Sequence, residues 1–346
     1  MNAEEYKTKL SDYFYGSCAG ISVALAKQTG LLDVFYATNS PLTISEIAER
    51  NNSKDRYIKE LLGSLVSAGV VEISDDSTQF HVPEEHKKHL QEYSVLCAFP
   101  TAFAERFNAL TECFKKDGPY GINYSQSTSV CKLIGENKNC EGIIENQLLP
   151  AVPGLKEKLD SGIDVLELGC NTGLVLIGLA TRFPKSRFLG GDVVETSIET
   201  GRDMASSLNL KNIEFEVLDI MDLPTDFSDK YDWCFVQDVI HDLPKPDKGL
   251  SELYRCLKRG QVFSMIECTV PGSMAQHANN LHACYYYTAS TFMCLPSSFQ
   301  QADSAAAGAM WGADNVRKAL YKAGFKIINE TVSESDEFIT HFVCQK

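Results

Sequence analysis

The sequence predicts an α/β domain with a doubly wound, mostly parallel sheet, preceded by a mainly α-helical domain. Three observations support this prediction. The 346 residues are enough for two domains of ordinary size. From residue 163 onward, apolar strand-like segments alternate with helical ones. The last two strand-like segments are separated only by residues 334–337, a connection short enough for a hairpin, so the last strand should run antiparallel.

The first 90 residues indicate a winged helix, in which short helices are followed by a two-stranded wing. Thr43 is a candidate N-cap, and Glu46 three residues later completes a capping box. A second helix is expected within 53–69, where apolar residues recur at helical spacing. The segments 70–74 and 79–82 flank a polar turn and predict the wing. We assign this part of the chain to a winged-helix or dimerisation domain.

Residues 91–155 are expected to form a helical connector that contributes to the active-site cleft. Tyr120 and Tyr124 would line that cleft, or would serve as ordinary packing between domains. The catalytic domain is expected to span 156–346. Seven strands are predicted in it, at 163–168, 186–192, 213–219, 231–238, 261–268, 325–333 and 338–346.

Glycine and acidic residues stand at three successive predicted strand ends. In a doubly wound sheet, the carboxyl ends of the strands form the ligand crevice. Gly169 and Gly173 allow the first turn to approach a ligand closely. Asp192 follows the second strand, where a carboxylate can accept hydrogen bonds from both ribose hydroxyls, and Asp219 follows the third, where it can accept one from an adenine amino group. A nucleoside ligand is predicted; loop glycines and helix-capping aspartates are the alternative.

His241 lies after the fourth predicted strand, in the sequence VIHDLP. An imidazole titrates near pH ~6.5, so it can take a proton from a hydroxyl or thiol at neutral pH. The alternative is that His241 only hydrogen-bonds the cofactor or caps a turn. The neighbouring Asp242 is expected to cap the next helix.

The run 167–173, ELGCNTG, resembles the acidic-x-Gly-x-Gly-x-Gly signature of class I S-adenosylmethionine (SAM)-dependent methyltransferases. Asn171 replaces the middle glycine, and asparagine is the non-glycine residue that best tolerates a positive φ. The final antiparallel hairpin is also typical of that family. Over nearly its whole length the chain is similar to small-molecule O-methyltransferases with an N-terminal winged helix, and to the Rv2258c-like group in particular. The sequences DVIHD, CLP, GAMWG and AGF in the second half support that likeness.

This resemblance implies a seven-stranded Rossmann-like methyltransferase sheet, SAM as cofactor, and methyl transfer to a hydroxyl or thiol of a small molecule. It implies that Glu167 and Gly169 bind the methionine moiety, that Asp192 binds the ribose and that Asp219 binds the adenine. It also implies a homodimer. The complete set of expected cofactor-binding residues is Glu167, Gly169, Asn171, Gly173, Asp192, Asp219, Ile220 and Asp238.

By the same resemblance His241 corresponds to the general base of the plant enzymes, although Leu243 stands where those enzymes have a tryptophan. Glu267 resembles the glutamate that flanks that histidine, and its carboxylate would fix the tautomer and raise the basicity of the ring. A lid and acceptor pocket is expected at 277–299, with a core helix as the alternative. The expected pocket residues are Tyr120, Tyr124, Tyr287, Phe292, Met293 and Trp311.

Composition restricts the partners. The net charge of −14, from 32 basic and 46 acidic residues, makes nucleic acid an unlikely main partner. No apolar run reaches the roughly 18 residues of a membrane span, and the N-terminus lacks the apolar region of a signal peptide. Twelve scattered cysteines without a Cys-x-x-Cys pair favour free thiols in the cytoplasm. No His/Asp/Glu cluster has convincing metal spacing, so no metal is expected.

Two other functions stay open at this stage. The glycine turn would also serve a nicotinamide oxidoreductase, although Asp219 and the final hairpin count against one. A DNA-binding regulator, or a SAM sensor without catalysis, would use the same fold. The candidate recognition helix offers Lys54, Arg56 and Lys59 beside acidic neighbours, which is a weak phosphate-binding pattern.

Overall fold

The computed structural model describes residues 1–126, 128–137 and 139–346. Within these ranges the chain folds as two units, Met1–Glu105 and Arg106–Lys346. The finer division into winged helix, connector and catalytic domain stays a prediction.

The first unit is mainly helical, with a short wing ahead of its last helix. Thr43 Oγ1 accepts a hydrogen bond from the Glu46 N–H at 3.3 Å, and Glu46 Oε2 accepts one from the Thr43 N–H at 2.8 Å, which confirms the predicted capping box. The two wing strands pair antiparallel, as expected. The elements are α1 (Ala3–Gln28), α2 (Leu31–Tyr36), α3 (Ile44–Arg50), α4 (Asp55–Ser67), β1 (Glu72–Ile73), β2 (Phe80–His81) and α5 (Glu84–Ala104).

The second unit is built around a mixed sheet of seven strands within the described residues. The strands are β3 (Asp164–Leu168), β4 (Arg187–Asp192), β5 (Ile213–Val217), β6 (Tyr231–Gln237), β7 (Leu257–Cys268), β8 (Lys326–Val332) and β9 (Ile339–Gln345). The helices are α6 (Phe107–Cys113), α7 (Thr128–Asn137), α8 (Cys140–Ile143), α9 (Leu149–Ala151), α10 (Leu155–Ser161), α11 (Leu174–Arg182), α12 (Glu195–Ser207), α13 (Pro246–Cys256), α14 (Leu281–Ala289), α15 (Leu295–Ser298) and α16 (Ala313–Lys322).

Short turns complete this unit. There are 3₁₀ turns at Tyr124–Gln126, Thr225–Phe227 and Ile240–Asp242. Two π-helical turns connect neighbouring helices, Ile144–Leu148 between α8 and α9 and Ser290–Cys294 between α14 and α15. Such turns inside helices are often found at functional sites. In the described part of the chain, no helix combines the length and apolarity needed to cross a membrane.

The strand order in the sheet is β5-β4-β3-β6-β7-β9-β8. β3 to β7 pair in parallel, whereas β9 lies antiparallel between β7 and β8. All seven predicted strands are present, and the antiparallel last strand is confirmed. This is the class I methyltransferase sheet that the sequence analysis predicts.

Apolar side chains on both faces hold the sheet between two helical layers. Val165 and Leu166 are fully buried on opposite faces of β3, because successive side chains of a strand point to opposite sides. Trp233 packs on the face of Val165, and Phe342 packs on the face of Leu166. Burial of each such side chain stabilises the fold by about 1.5–3 kcal/mol. Strands buried on both faces are rich in apolar residues, which is why periodicity located them.

The strand order determines where a ligand can bind. From β3 the chain moves outward through β4 and β5, then returns to pair β6 with the other side of β3. At such a switch point the loops that follow neighbouring strands diverge and leave a crevice at the carboxyl edge. The loops after β3, β4, β5, β6 and β7 all emerge at this edge.

Candidate active site

The turn after β3 is a tight backbone loop with three residues in the left-handed region. Gly169, Asn171 and Gly173 have φ values of 68°, 53° and 70°. The Gly169 N–H donates to the Gly191 carbonyl at 2.7 Å, which ties the turn to the end of β4. The Asn171 side chain donates through Nδ2 to the carbonyl of Cys131 at 2.7 Å. Asparagine at the middle position therefore both tolerates the required φ and links the turn to α7.

The two glycines are also required by close packing. A Cβ atom on Gly169 would lie 2.3 Å from Cγ2 of Val239 in the loop after β6. A Cβ atom on Gly173 would lie 2.1 Å from Cε1 of Phe215, a buried residue of β5. Both positions thus combine a positive φ with the absence of space for a side chain.

The carboxylate of Asp192 holds the turn from the neighbouring strand. Its Oδ2 accepts a hydrogen bond from the Asn171 N–H at 2.8 Å, and its Oδ1 accepts one from the Val194 N–H at 2.9 Å. Asp219 is exposed at the end of β5, with Oδ1 accepting from the Met221 N–H at 2.8 Å.

The remaining predicted cofactor residues occupy different surroundings. Glu167 is buried within β3, with 1% of its surface exposed. The Ile220 side chain is buried in the hydrophobic core beside the sheet. Asp238 is exposed at the end of β6 with a φ of 53°, and its Oδ1 accepts a hydrogen bond from the Cys268 thiol at 3.4 Å. The structure therefore places Asp238 at the carboxyl edge, whereas the Ile220 side chain points into the core.

His241 and Glu267 form a fully buried pair at the same edge. His241 is 2% exposed and Glu267 is completely buried. The Nδ1 atom of His241 makes a short hydrogen bond with Oε1 of Glu267. The Cys268 N–H donates to the same carboxylate at 2.9 Å. This pair was predicted only through the resemblance to a family, and the structure brings the two side chains together.

The other ring nitrogen of His241 faces a second polar group. Its Nε2 lies 3.5 Å from Oδ1 of Asp242, and Cys294 lies within the same cluster. The prediction that Asp242 caps the following helix is wrong. α13 begins at Pro246 with Lys245 as its N-cap. The 3₁₀ turn Ile240–Asp242 instead directs the Asp242 side chain back toward the imidazole.

Electrostatics in this cluster follow from burial and close charges. Burial lowers the pKa of His241, but the carboxylates of Glu267 and Asp242 outweigh this effect and hold that pKa well above its usual value. Burial raises the pKa of Asp242, with the His241 charge opposing the shift. Burial also raises the pKa of the Cys294 thiol to about 12, so this thiol stays protonated at neutral pH and is not a nucleophile there.

Two groups of potential metal ligands lie in this region. Asp238, His241, Glu267 and Cys268 form one, and His241, Asp242 and Cys294 form the other, each with ligand atoms within 4.8 Å of one another. Both groups include His241, whose Nδ1 already contacts Glu267. Spacing along the sequence did not indicate either group, and the expected absence of a metal stays a prediction.

The predicted acceptor-pocket residues are only partly brought to His241. Tyr124 is close enough to Cys131, Asp192 and Asp242 for their charges to act on its phenol, whose pKa is raised well above the usual value, mainly by burial. Met293 precedes Cys294 in the π-helical turn. The other four predicted pocket residues contact different side chains. Phe292 packs on Phe107, Tyr120 on Phe299, Tyr287 hydrogen-bonds His277, and Trp311 packs against the sheet core.

Arg106 was not singled out from the sequence. It is 6% exposed, and its Nη1 lies 2.8 Å from Sδ of Met293. Its Nη2 donates weakly to the carbonyl of Ile122 at 3.4 Å. The signal that could have identified it is an isolated arginine within an apolar, aromatic stretch, because such a position forces a charge into the interior.

Comparisons with known proteins agree with this geometry. A family model described as "Methyltransferase domain" matches residues 159–324, and one described as "Rv2258c-like winged HTH domain" matches residues 17–92. An uncharacterized Rickettsia prowazekii protein, RP028, is 32% identical over 110 residues, which is 31% of this chain and 44% of that protein. A demethylmenaquinone methyltransferase of Symbiobacterium thermophilum is 31% identical over 115 residues, 32% of this chain and 45% of that enzyme. The chain thus matches less than half the length of these curated relatives.

Solved structures share the fold over almost the whole chain. The mitomycin 7-O-methyltransferase MmcR superposes with a TM-score of 0.72 at 14% identity, over 99% of this chain and 98% of that one. Human N-acetylserotonin methyltransferase in complex with SAM superposes with a TM-score of 0.65 at 15% identity, over 100% and 99%. Identities this low establish the fold alone.

The fold and the family match together define a class I methyltransferase domain. Ahead of this domain, the chain carries a region that matches an Rv2258c-like winged helix-turn-helix domain.

The packing of Gly173 against Phe215 can be tested by comparing two glycines. Gly173→Ala and Gly260→Ala both place alanine at a positive φ, of 70° and 77°, but a Cβ on Gly260 meets nothing within 4 Å. Both should lose roughly 1 kcal/mol from backbone strain, and Gly173→Ala a further 1–3 kcal/mol, approximately, from overpacking. Thermal and urea unfolding would measure this difference. Equal losses in the two variants would show that the ring contact does not constrain the turn.

Proposed function

We propose that this chain is a SAM-dependent methyltransferase that moves a methyl group to a hydroxyl or thiol of a small molecule. The observation that supports this most is the buried His241–Glu267 pair, which lies at the same sheet edge as the glycine turn. The family match over 159–324 supports the reaction class. The choice of acceptor atom rests on the histidine, since a hydroxyl or thiol must lose a proton when it is methylated.

The residues after β3, β4 and β5 suit a nucleoside cofactor such as SAM. Oδ1 of Asn171 is buried and makes no hydrogen bond within the described part of the chain, so a ligand donor could satisfy it. Asp192 lies at the end of β4, where its carboxylate could accept from ribose hydroxyls, and Asp219 is exposed for a base amino group. When bound, the cofactor supplies an electrophilic methyl group on a sulfonium. Glu167, Gly169, Gly173, Ile220 and Asp238 remain proposed neighbours of that cofactor.

His241 is proposed as the general base and Glu267 as the residue that positions it. In the neutral ring, the contact at Nδ1 keeps the proton on that nitrogen and leaves the lone pair of Nε2 to accept the acceptor's proton. Because the pKa of His241 is raised, this neutral form is populated toward higher pH. Because transfer from a sulfonium needs alignment and exclusion of water, the burial of the site also fits this chemistry. The aromatic and thioether side chains at Tyr124 and Met293 would form part of an apolar acceptor pocket, with Tyr120, Tyr287, Phe292 and Trp311 as its further proposed members.

The partners and location that we propose follow from surface and composition. A small-molecule acceptor is favoured over DNA, because Arg56 in α4 is already paired with Glu60 and the chain is strongly acidic. A reducing, cytoplasmic location is proposed because the twelve cysteines lie as free thiols. Neither proposal requires a metal ion.

If His241 is the base, His241→Gln should lower kcat by about 10²–10⁴ while SAM still binds. The acceptor can first be identified by mass spectrometry of a cell extract incubated with deuterated-methyl SAM. Calorimetry with SAM and its demethylated product would then measure binding to both proteins. His89→Gln, at an exposed histidine of α5, serves as the matched control. An unchanged kcat would remove His241 from the chemistry, and an absence of cofactor binding by the wild type would refute the methyltransferase proposal.

Glu267→Gln should shift the pH dependence of the reaction. The carboxylate is the main group that raises the pKa of His241, so its removal lowers that pKa. The imidazole can act as a base only when it is neutral. With the lower pKa in the variant, the ring stays neutral down to a lower pH. The acidic limb of the kcat/KM profile should therefore move to lower pH, with a lower plateau because the ring is less basic. The exposed Glu334→Gln is the control. A profile that does not move would contradict the role of Glu267.

A homodimer is also proposed, with α1 as part of its interface. One face of α1 is apolar and between 46% and 62% exposed, through Tyr6, Leu10, Tyr13, Phe14, Ile21 and Leu25. Exposed apolar patches of this kind mark interaction surfaces.

The double variant Leu10→Asp/Phe14→Asp should convert the dimer to a monomer in multi-angle light scattering, because it places charges in a desolvated interface. Tyr57→Asp changes an exposed tyrosine of α4 instead and should leave the mass unchanged. Circular dichroism checks that the variants are folded. A monomeric wild type, or an unaffected dimer in the double variant, would exclude this interface.

A further inference from the structure

Arg106 is a buried cation whose charge is not balanced by any close anion in the described ranges. Only 6% of the surface of this residue is exposed to solvent. Among the described residues no carboxylate oxygen lies within the 4.0 Å of an ion pair, and its Nε has no hydrogen-bond partner. Its contacts are the thioether of Met293 and a distant carbonyl of Ile122. The thioether is a weak acceptor for a guanidinium, and the carbonyl lies near the limit of hydrogen-bond distance.

Such an arrangement is costly without a ligand. Removing a charge from water is strongly unfavourable unless close hydrogen-bonded anions compensate it. Burial lowers the pKa of Arg106, and the charge of Asp242 acts against that shift from beyond ion-pair distance. The Oδ1 atom of Asp242 lies 3.5 Å from Nε2 of His241, within ion-pair distance of the imidazole. The guanidinium of Arg106 therefore keeps N–H donors available close to the cluster of His241 and Asp242.

The position of Arg106 relates it to the proposed methyl acceptor. Met293, which it contacts, is followed directly by Cys294, whose sulfur lies within 4.8 Å of the His241 and Asp242 ligand atoms. Arg106 and His241 are thus linked through two consecutive residues of the π-helical turn, Met293 on the side of the guanidinium and Cys294 on the side of the imidazole. A small molecule could contact both.

We propose that Arg106 binds a carboxylate of the acceptor while His241 receives the proton of its hydroxyl or thiol. The acceptor class is then a small aromatic acid that carries the methylated group on its ring. A planar guanidinium fork matches the two oxygens of a carboxylate. This inference rests on the proposed methyltransferase function and specifies its substrate.

Binding of hydroxybenzoates tests the proposal. The probes are 2-, 3- and 4-hydroxybenzoate and their methyl esters, titrated by calorimetry into full-length protein saturated with S-adenosylhomocysteine. At least one acid should bind tenfold or more tightly than its ester, because the ester has the same ring and hydroxyl without the charge. Arg106→Gln should weaken that acid by roughly 10- to 100-fold, the size expected for lost charged hydrogen bonds.

Arg106→Lys keeps the charge without the fork and should give an intermediate loss, while the exposed Arg259→Gln should give none. If Arg106→Gln does not fold, two measurements still test the carboxylate site. They are the affinity of Arg106→Lys for the acid and the ratio of acid to ester affinity in the wild type. The carboxylate site is overturned if the wild type binds S-adenosylhomocysteine but no hydroxybenzoate, or if it binds acids and esters with equal affinity. Either result leaves the proposed methyltransferase function standing. An unchanged affinity for the acid in both Arg106→Gln and Arg106→Lys would overturn the carboxylate site in the same way. Failure to bind S-adenosylhomocysteine refutes the proposed function instead.

Discussion

The buried carboxylate of Glu267 is the constraint on which the candidate site depends. A fully buried carboxylate is stable only when hydrogen bonds and an opposite charge compensate the loss of water. Here the Cys268 N–H and the imidazole of His241 provide that compensation. Removing one member of such a pair is destabilising because the other is left buried and uncompensated. The fold therefore favours a single orientation of the histidine ring, which is the property that a positioned base requires.

The register of the sheet explains how these two side chains meet. β6 and β7 pair in parallel with Gln237 opposite Ile266, so Asp238 and Glu267 are level at the carboxyl edge. Asp238 has a φ of 53°, which turns the chain sharply, and the following 3₁₀ turn returns His241 to Glu267. A position four residues after the end of a strand would otherwise lie well away from the neighbouring strand. Local backbone geometry and strand pairing thus produce the site together, and α14 with its π-helical turn encloses it.

The sequence predicted the features that depend on local chemistry. The strands are apolar runs, and Gly169, Asn171 and Gly173 were identifiable because few residues tolerate a positive φ. It did not predict contacts between distant segments, such as Arg106 with Met293, which are 187 positions apart. Asp242 was misassigned for the same reason, since an aspartate before a helix is usually a cap, and only the fold shows that it faces His241. Ile220 stays a predicted neighbour of the cofactor, with its side chain packed in the core.

The position of β9 in the sheet has a consequence for folding during synthesis. β9 is the last strand along the chain, yet it lies inside the sheet and pairs with β7 over its whole length, with Thr340 opposite Glu267. A nascent chain on the ribosome that has not yet released residues 339–345 leaves an unpaired edge on β7, exposed to association with other chains. The strand edge that carries Glu267 is therefore covered only after residues 339–345 have been synthesised. Partial translation products that stop before this strand would be candidates for chaperone binding.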